Sequence, residues 1–168
     1  MQVARNKAEI YMEYPDKAIV RARNTAYRLL TFRPRSNYEL EQKLREKTFP
    51  EPVIQTVMQH LQRLGYIDDR KFAAQWAASR ARLRGYGRRR IEQELRLKGV
   101  DQQTIHEALT EVIPPENERE IACKIVENKL RTIKNSEPRV QQRRLAGFLE
   151  RKGFSHEIIW DILRAMRT

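Results

Sequence analysis

Apolar positions along this chain follow a helical rhythm, and the same rhythm is written three times. Residues 39–61 read ELEQKLREKTFPEPVIQTVMQHL, residues 90–112 read RIEQELRLKGVDQQTIHEALTEV, and residues 144–166 read RLAGFLERKGFSHEIIWDILRAM. The three segments superpose without gaps. Leu40, Ile91 and Leu145 share one position, as do Leu44, Leu95 and Leu149, and Phe49, Val100 and Phe154. Ile54, Ile105 and Ile159 share another, Met58, Leu109 and Leu163 a further one, and Lys47, Lys98 and Lys152 align as well. Spacings of 51 residues from Leu40 to Ile91 and 54 from Ile91 to Leu145 are those of a repeated supersecondary unit.

Punctuation residues divide each unit into three helices. In the first unit, a helix with Ala26, Tyr27, Leu29 and Leu30 ends near Phe32–Pro34. Ser36 followed by Glu39 has the form of a capping box, which satisfies two orphan amide donors and starts the helix of Leu40 and Leu44. Pro50 and Pro52 open the third helix, and Gly65 closes it. In the second unit, Asp68 or Asp69 caps a helix carrying Phe72, Trp76, Arg80 and Leu83. Gly85-Tyr86-Gly87 breaks that helix, Gly99 ends the next one, and Asp101 caps the third. The third unit follows Pro114-Pro115 and repeats the stop-and-cap device at Gly153-Phe154-Ser155.

The pattern predicts an all-α fold of three tandem three-helix repeats, residues 17–66, 67–113 and 114–168, stacked in an elongated, curved array. Residues 1–16 do not fit the repeat and read as an N-terminal tail or an extra helix. Trp76 and Trp160 are candidates for core or inter-unit packing, with base stacking as the other reading. Arrays of this kind present long surfaces to extended partners and seldom build a catalytic pocket.

Charge sharpens that picture. The chain carries 34 Lys and Arg against 22 Asp and Glu, a net charge of +12, which favours a polyanionic partner. Residues 80–98 hold Arg80, Arg82, Arg84, Arg88, Arg89, Arg90, Arg96 and Lys98 against Glu92 and Glu94. Arg88, Arg89 and Arg90 open a helix, where positive charge opposes the helix dipole at a cost of some tenths of a kcal/mol. Arginine suits phosphate and carboxylate, which its planar fork binds bidentately. The third repeat adds Arg139, Arg143, Arg144, Arg151 and Lys152, and the first adds Arg21, Arg23, Arg28, Arg33 and Arg35. The candidate partner-binding and nucleic-acid-binding set is therefore Arg80, Arg82, Arg84, Tyr86, Arg88, Arg89, Arg90, Lys98, Arg143, Arg144 and Lys152. Third helices such as QQTIHEALTEV are neutral to acidic, so the pattern suits backbone contact rather than base reading by a recognition helix.

Catalytic constellations are missing, and the chain reads as a non-enzyme. His60, His106 and His156 occupy non-equivalent repeat positions, and the single Cys123 sits in the apolar stretch IACKIV. Without a helical His pair or further cysteines, no zinc site is expected, and no Walker A or GxGxxG segment points to a cofactor. No apolar run approaches a membrane span, and the N-terminus lacks the apolar core of a signal peptide. A cytoplasmic protein with no membrane partner is expected.

The middle unit carries a more specific signature. Asp68-Asp69-x-x-Phe72-Ala73-x-x-Trp76-x-x-Ser79-Arg80, then Gly85-Tyr86-Gly87, then Arg90-Ile91-x-x-Glu94-Leu95-x-x-Lys98-Gly99-Val100 resembles the RecX family of bacterial recombinase regulators. The likeness extends over about residues 17–168. Arg88 stands where the family often has proline, and Thr48 where the other two repeats have glycine. The resemblance implies a small non-catalytic monomer that binds the RecA–DNA filament along its helical groove. Its relatives generally suppress strand exchange, ATP hydrolysis and coprotease activity in DNA repair and the SOS response. A sequence-independent binder of bare single- or double-stranded DNA is the alternative; a sequence-specific repressor is disfavoured by the neutral third helices.

Overall fold

The computed structural model describes residues 15–133 and 137–166. Among these residues the secondary structure is nine helices: α1 (Pro15–Phe32), α2 (Asn37–Glu46), α3 (Glu51–Arg63), α4 (Asp69–Arg84), α5 (Arg88–Leu97), α6 (Gln102–Val112), α7 (Pro115–Ile133), α8 (Pro138–Lys152) and α9 (His156–Ala165). The breaks fall at the glycine, proline and cap positions read from the sequence. Residues 1–14 lie outside the described residues, and so does most of the expectation of a tail or extra helix. Pro15 and Asp16 already belong to α1.

The caps explain why helices start where they do. Ser36 Oγ accepts from Glu39 N–H at 3.1 Å, Asp101 from Thr104 N–H at 2.9 Å, and Ser155 Oγ from Ile158 N–H at 3.3 Å. Asp68 accepts from Arg70 and Lys71 amides, so it, not Asp69, caps α4. Each such cap stabilises by about 1 kcal/mol. Ser36 and Glu39 form only half of the expected box. The Glu39 carboxylate turns away to a fork of two hydrogen bonds from Arg33, both 3.0 Å, and a third from Lys98 at 2.8 Å.

One repeated stop survives without its glycine. Gly99 and Gly153 end their helices with φ of 71° and 86°, and Thr48, at the equivalent position, has φ 62°. A β-branched residue there costs roughly 1–2 kcal/mol, so the surrounding repeat geometry, not local preference, imposes the turn.

The chain forms two compact units. The first comprises the described residues up to Phe72 together with Lys98–Val100. Its core is built from small residues on α1 and large ones opposite: Ala18, Ala22 and Ala26 recur every fourth residue and are fully buried. They let α1 lie close on α3, whose Ile54, Val57, Met58 and Leu61 fill the space with Leu40 and Leu44 of α2. The Lys98–Val100 turn docks on the start of α2, where Ser36 Oγ donates to the Lys98 carbonyl at 2.5 Å.

The second unit holds residues 73–97 and the described residues from Asp101 on. Ile91 and Leu95 of α5 are buried, as are Ile105, Ala108 and Leu109 of α6. Ala122 and Val126 of α7, Leu145 and Leu149 of α8, Phe154, and Ile159 and Ile162 of α9 form a further cluster. Burying each large aliphatic side chain contributes about 1.5–3 kcal/mol. Helix α4 departs from the predicted stripe. Its buried positions in this unit are Ala73 and Ala77, whereas Leu83 is exposed and Trp76 sits at the edge with its indole N–H bound to Glu94. Trp160 is also solvent-facing, because Ile159 and Ile162 supply the buried face of α9. No described helix is long and apolar enough to cross a membrane.

Candidate functional site

The basic residues singled out by the sequence fall into two groups once their side chains are placed. One group is consumed by the fold. Arg80 Nε donates to Glu94 Oε2 at 2.8 Å and its guanidinium lies 3.9 Å from the Trp76 ring centroid. The same carboxylate oxygen accepts from the Trp76 indole at 2.9 Å. Glu94 thus fixes the α4–α5 pairing, which the reading of Arg80 as a contact residue did not include. Lys98 bonds Glu39 with both side chains only 17% exposed.

Arg88 is the third residue so used. Its guanidinium donates to the carbonyls of Leu109, at 2.8 Å, and Ile113, closing the last turn of α6. The Leu109 carbonyl also accepts from the Ile113 amide at 3.0 Å, the Ile113 carbonyl lies past the helix end, and a cation there meets the negative end of the dipole. The Arg88 amide donates to the buried Glu118 carboxylate at 2.8 Å. The dipole penalty expected for three arginines at this start is therefore offset by an acidic group from α7. Burial raises the Glu118 carboxyl above its ordinary pKa, while the Arg88 amide and the charges of Arg88 and Arg89 pull the other way. Nothing in the stretch PPENERE distinguishes Glu118 from its solvated acidic neighbours. Only the packing does.

The second group stays at the surface of the second unit. Arg82, Arg84, Arg89 and Arg90 are exposed, and Tyr86 and Lys152 are half-buried beside them. Backbone bonds hold this patch: Gly87 N–H donates to the Lys152 carbonyl at 2.8 Å and Arg89 N–H to the Gly153 carbonyl at 3.2 Å. The approach requires glycine. A Cβ on Gly87 would lie 2.6 Å from the Gly153 carbonyl oxygen.

Around that seam, Lys152 Nζ donates to the Arg84 carbonyl and lies 5.0 Å from the Tyr86 ring centre, with the Arg90 guanidinium 5.2 Å from the same ring. Burial first, then the charges of Arg84 and Arg90, lower the Lys152 pKa. Arg90 also lies 3.6 Å from Glu94. Arg89 and Arg90 line a cleft with Gln93, Glu150, Arg151 and His156. Arg143 and Arg144 are exposed on α8, more than two turns before Lys152. The patch is a set of fork-shaped and ammonium donors held on rigid helices and a glycine seam. It suits anionic oxygens.

Three family models describing RecX match the chain in order: the first three-helix domain over residues 22–61, the second over 68–109 and the third over 116–163. "Regulatory protein RecX" of Thermobifida fusca is 35% identical over 150 residues, covering 89% of this chain and 80% of that one. The protein of the same name from Mycolicibacterium smegmatis is 38% identical over 147 residues, covering 84% and 77%. The crystal structure of RecX from Lactobacillus salivarius shares the fold with a TM-score of 0.80 at 24% identity, over 90% of this chain and 98% of that one. A second crystal structure of a regulatory protein RecX gives a TM-score of 0.78 over 97% of this chain and 79% of that one. Order of domains, coverage and fold agree: the chain belongs to the RecX family of regulatory proteins.

Proposed function

We propose that this protein is a non-catalytic cytoplasmic regulator that binds the RecA–DNA filament and inhibits its recombinase, ATPase and coprotease activities. The observation that carries this reading is the ordered match to all three RecX domains. The basic patch supports it physically. Arg82, Arg84, Arg89, Arg90 and Lys152 project from rigid elements of the second unit, and a nucleoprotein filament is a polyanion of repeating geometry. Contacts to backbone phosphate position a protein without reading sequence.

The test is ATP hydrolysis by RecA on single-stranded DNA, with the purified protein added before and after filament assembly. Inhibition in both orders supports filament binding, and inhibition only in the first places the effect on assembly. Unchanged hydrolysis in both sinks the reading. A binder of bare DNA is the second reading, favoured by the net charge of +12. It requires tight, steeply salt-dependent binding to DNA without RecA.

A further inference from the structure

The repeat register pairs two junctions that the chain builds from equivalent residues. In the first unit the start of α2 meets the Lys98–Val100 turn; in the second unit the start of α5 meets the Lys152–Gly153 turn. The register places Arg84 where Arg33 stands, Gly87 where Ser36 stands, Arg90 where Glu39 stands, and Lys152 where Lys98 stands. The lysine carbonyl accepts from Ser36 Oγ in one junction and from Gly87 N–H in the other. Both flanking cations are kept. The carboxylate between them is not.

In the first junction Glu39 takes a bidentate fork from Arg33 and a bond from Lys98. In the second, a third cation occupies the position of that carboxylate. Lys152 bonds a carbonyl and lies over Tyr86 and Phe148, and no carboxylate pairs with it among the described residues. Of the neighbouring acids, Glu94 is engaged by Trp76, Arg80 and Arg90 and Glu118 by the Arg88 amide, while the exposed Glu150 lines the adjoining cleft with Arg89 and Arg90. The amides of Gly87, Arg88 and Arg89 are spent on protein acceptors, so any ligand there is held by side chains rather than by the helix end.

We propose that Arg84, Arg90 and Lys152 form an anion site that takes a nucleic-acid phosphodiester in the place Glu39 fills in the first unit. A planar carboxylate satisfies two cations there. Three cations brought together from two helix ends and a helix start suit the tetrahedral oxygens of a phosphate. The exposed Arg82 and Arg89 flank them and extend the positive strip for neighbouring phosphates. This rests on nucleic acid being part of the partner bound by the basic patch.

Arg90→Glu tests it by returning the carboxylate of the first junction. The new acid gains Arg84 and Lys152 and a favourable place at the helix start, and loses the contact with Glu94. The melting temperature should therefore stay close to the parent's. Affinity for a fluorescein-labelled oligothymidylate should fall about tenfold or more, with the salt slope shallower by about one unit. Arg131→Glu, the same charge change at an exposed position of α7, controls for net charge and should bind more tightly than Arg90→Glu. Lys152→Gln is the second variant, and weaker binding is expected there too, so that misfolding of the first does not decide the matter. Equal binding by Arg90→Glu and Arg131→Glu, equal competition by polyglutamate, or no binding of the oligonucleotide by the parent at low salt overturns the site. None of these outcomes touches inhibition of RecA hydrolysis, which decides the filament reading separately.

Discussion

Lys98 reaches across 59 residues of sequence to Glu39, donating to its carboxylate at 2.8 Å, with both side chains 17% exposed. Burial by itself would raise the Glu39 carboxyl. Hydrogen bonds from Arg33 and Lys98, with their charges, outweigh it and bring the pKa from an ordinary 4.5 down to about 2.

A carboxyl depressed on folding contributes stability that is complete above its unfolded pKa and lost as the pH falls from about 4.5 through about 2. At about 1.4 kcal/mol per pKa unit, the contribution is on the order of 3 kcal/mol. Glu39→Gln should lower the unfolding free energy at neutral pH by roughly 2–3 kcal/mol and flatten the acid limb. Urea denaturation at neutral pH and near pH 3 checks both. A parallel loss at the two pH values would mean the pair does not set the acid limb.

Glu118 carries the opposite sign. Its carboxyl is raised by burial, so its ionised form costs stability that is recovered as the pH falls through the raised value. Glu118→Gln keeps an acceptor for the Arg88 amide and should be as stable as the parent, or more so, at neutral pH. Glu118→Ala orphans that amide and should lose about 1–3 kcal/mol. Thermal melts of the two variants separate the charge from the acceptor.

Arg88 and Arg89 are adjacent in sequence and should behave differently. Arg88→Ala removes two hydrogen bonds to the end of α6 and should cost about 1.5–3 kcal/mol. Arg89→Ala, at an exposed side chain, should stay within about 0.5 kcal/mol. Equal effects in chemical denaturation would mean that the Ile113 carbonyl is satisfied by water when Arg88 is gone.

Two glycines should fail for different reasons. Gly87→Ala puts a Cβ 2.6 Å from the Gly153 carbonyl oxygen and 2.9 Å from Glu118, and should cost about 2 kcal/mol or more through displaced backbone. Gly65→Ala meets nothing within 4 Å and pays only for its φ of 71°, about 1 kcal/mol. Unfolding curves that rank them the other way refute the close-packed seam.

Leu95→Ala and Leu149→Ala occupy one repeated, fully buried position and should each destabilise by about 2–5 kcal/mol. Leu97→Ala, two residues from Leu95 and 83% exposed, should change little. Guanidinium denaturation of all three tests whether the helical register has been placed correctly.

The sequence by itself determined the helices, their ends and the core register. These depend on local chemistry: apolar residues at helical spacing and stops in the left-handed conformation, both repeated three times, and serine and aspartate caps at single helix starts. Leu40, Leu95 and Leu149 were legible for that reason, and so was the RecX likeness of the middle repeat. The roles of the charges were decided only by tertiary structure. Arg80, Arg88 and Lys98 read as surface cations, yet Glu94, the α6 carbonyls and Glu39 consume them, because their partners lie many residues away and carry no local signal. Trp160 read as a packing residue, but the rotation of α9 about its axis turned Ile159 and Ile162 inward instead. Arg84, Arg90 and Lys152 remain together at the surface for the same physical reason. A charge's fate depends on what three-dimensional packing places within a few ångströms of it, whereas a helix needs only its neighbours in the chain.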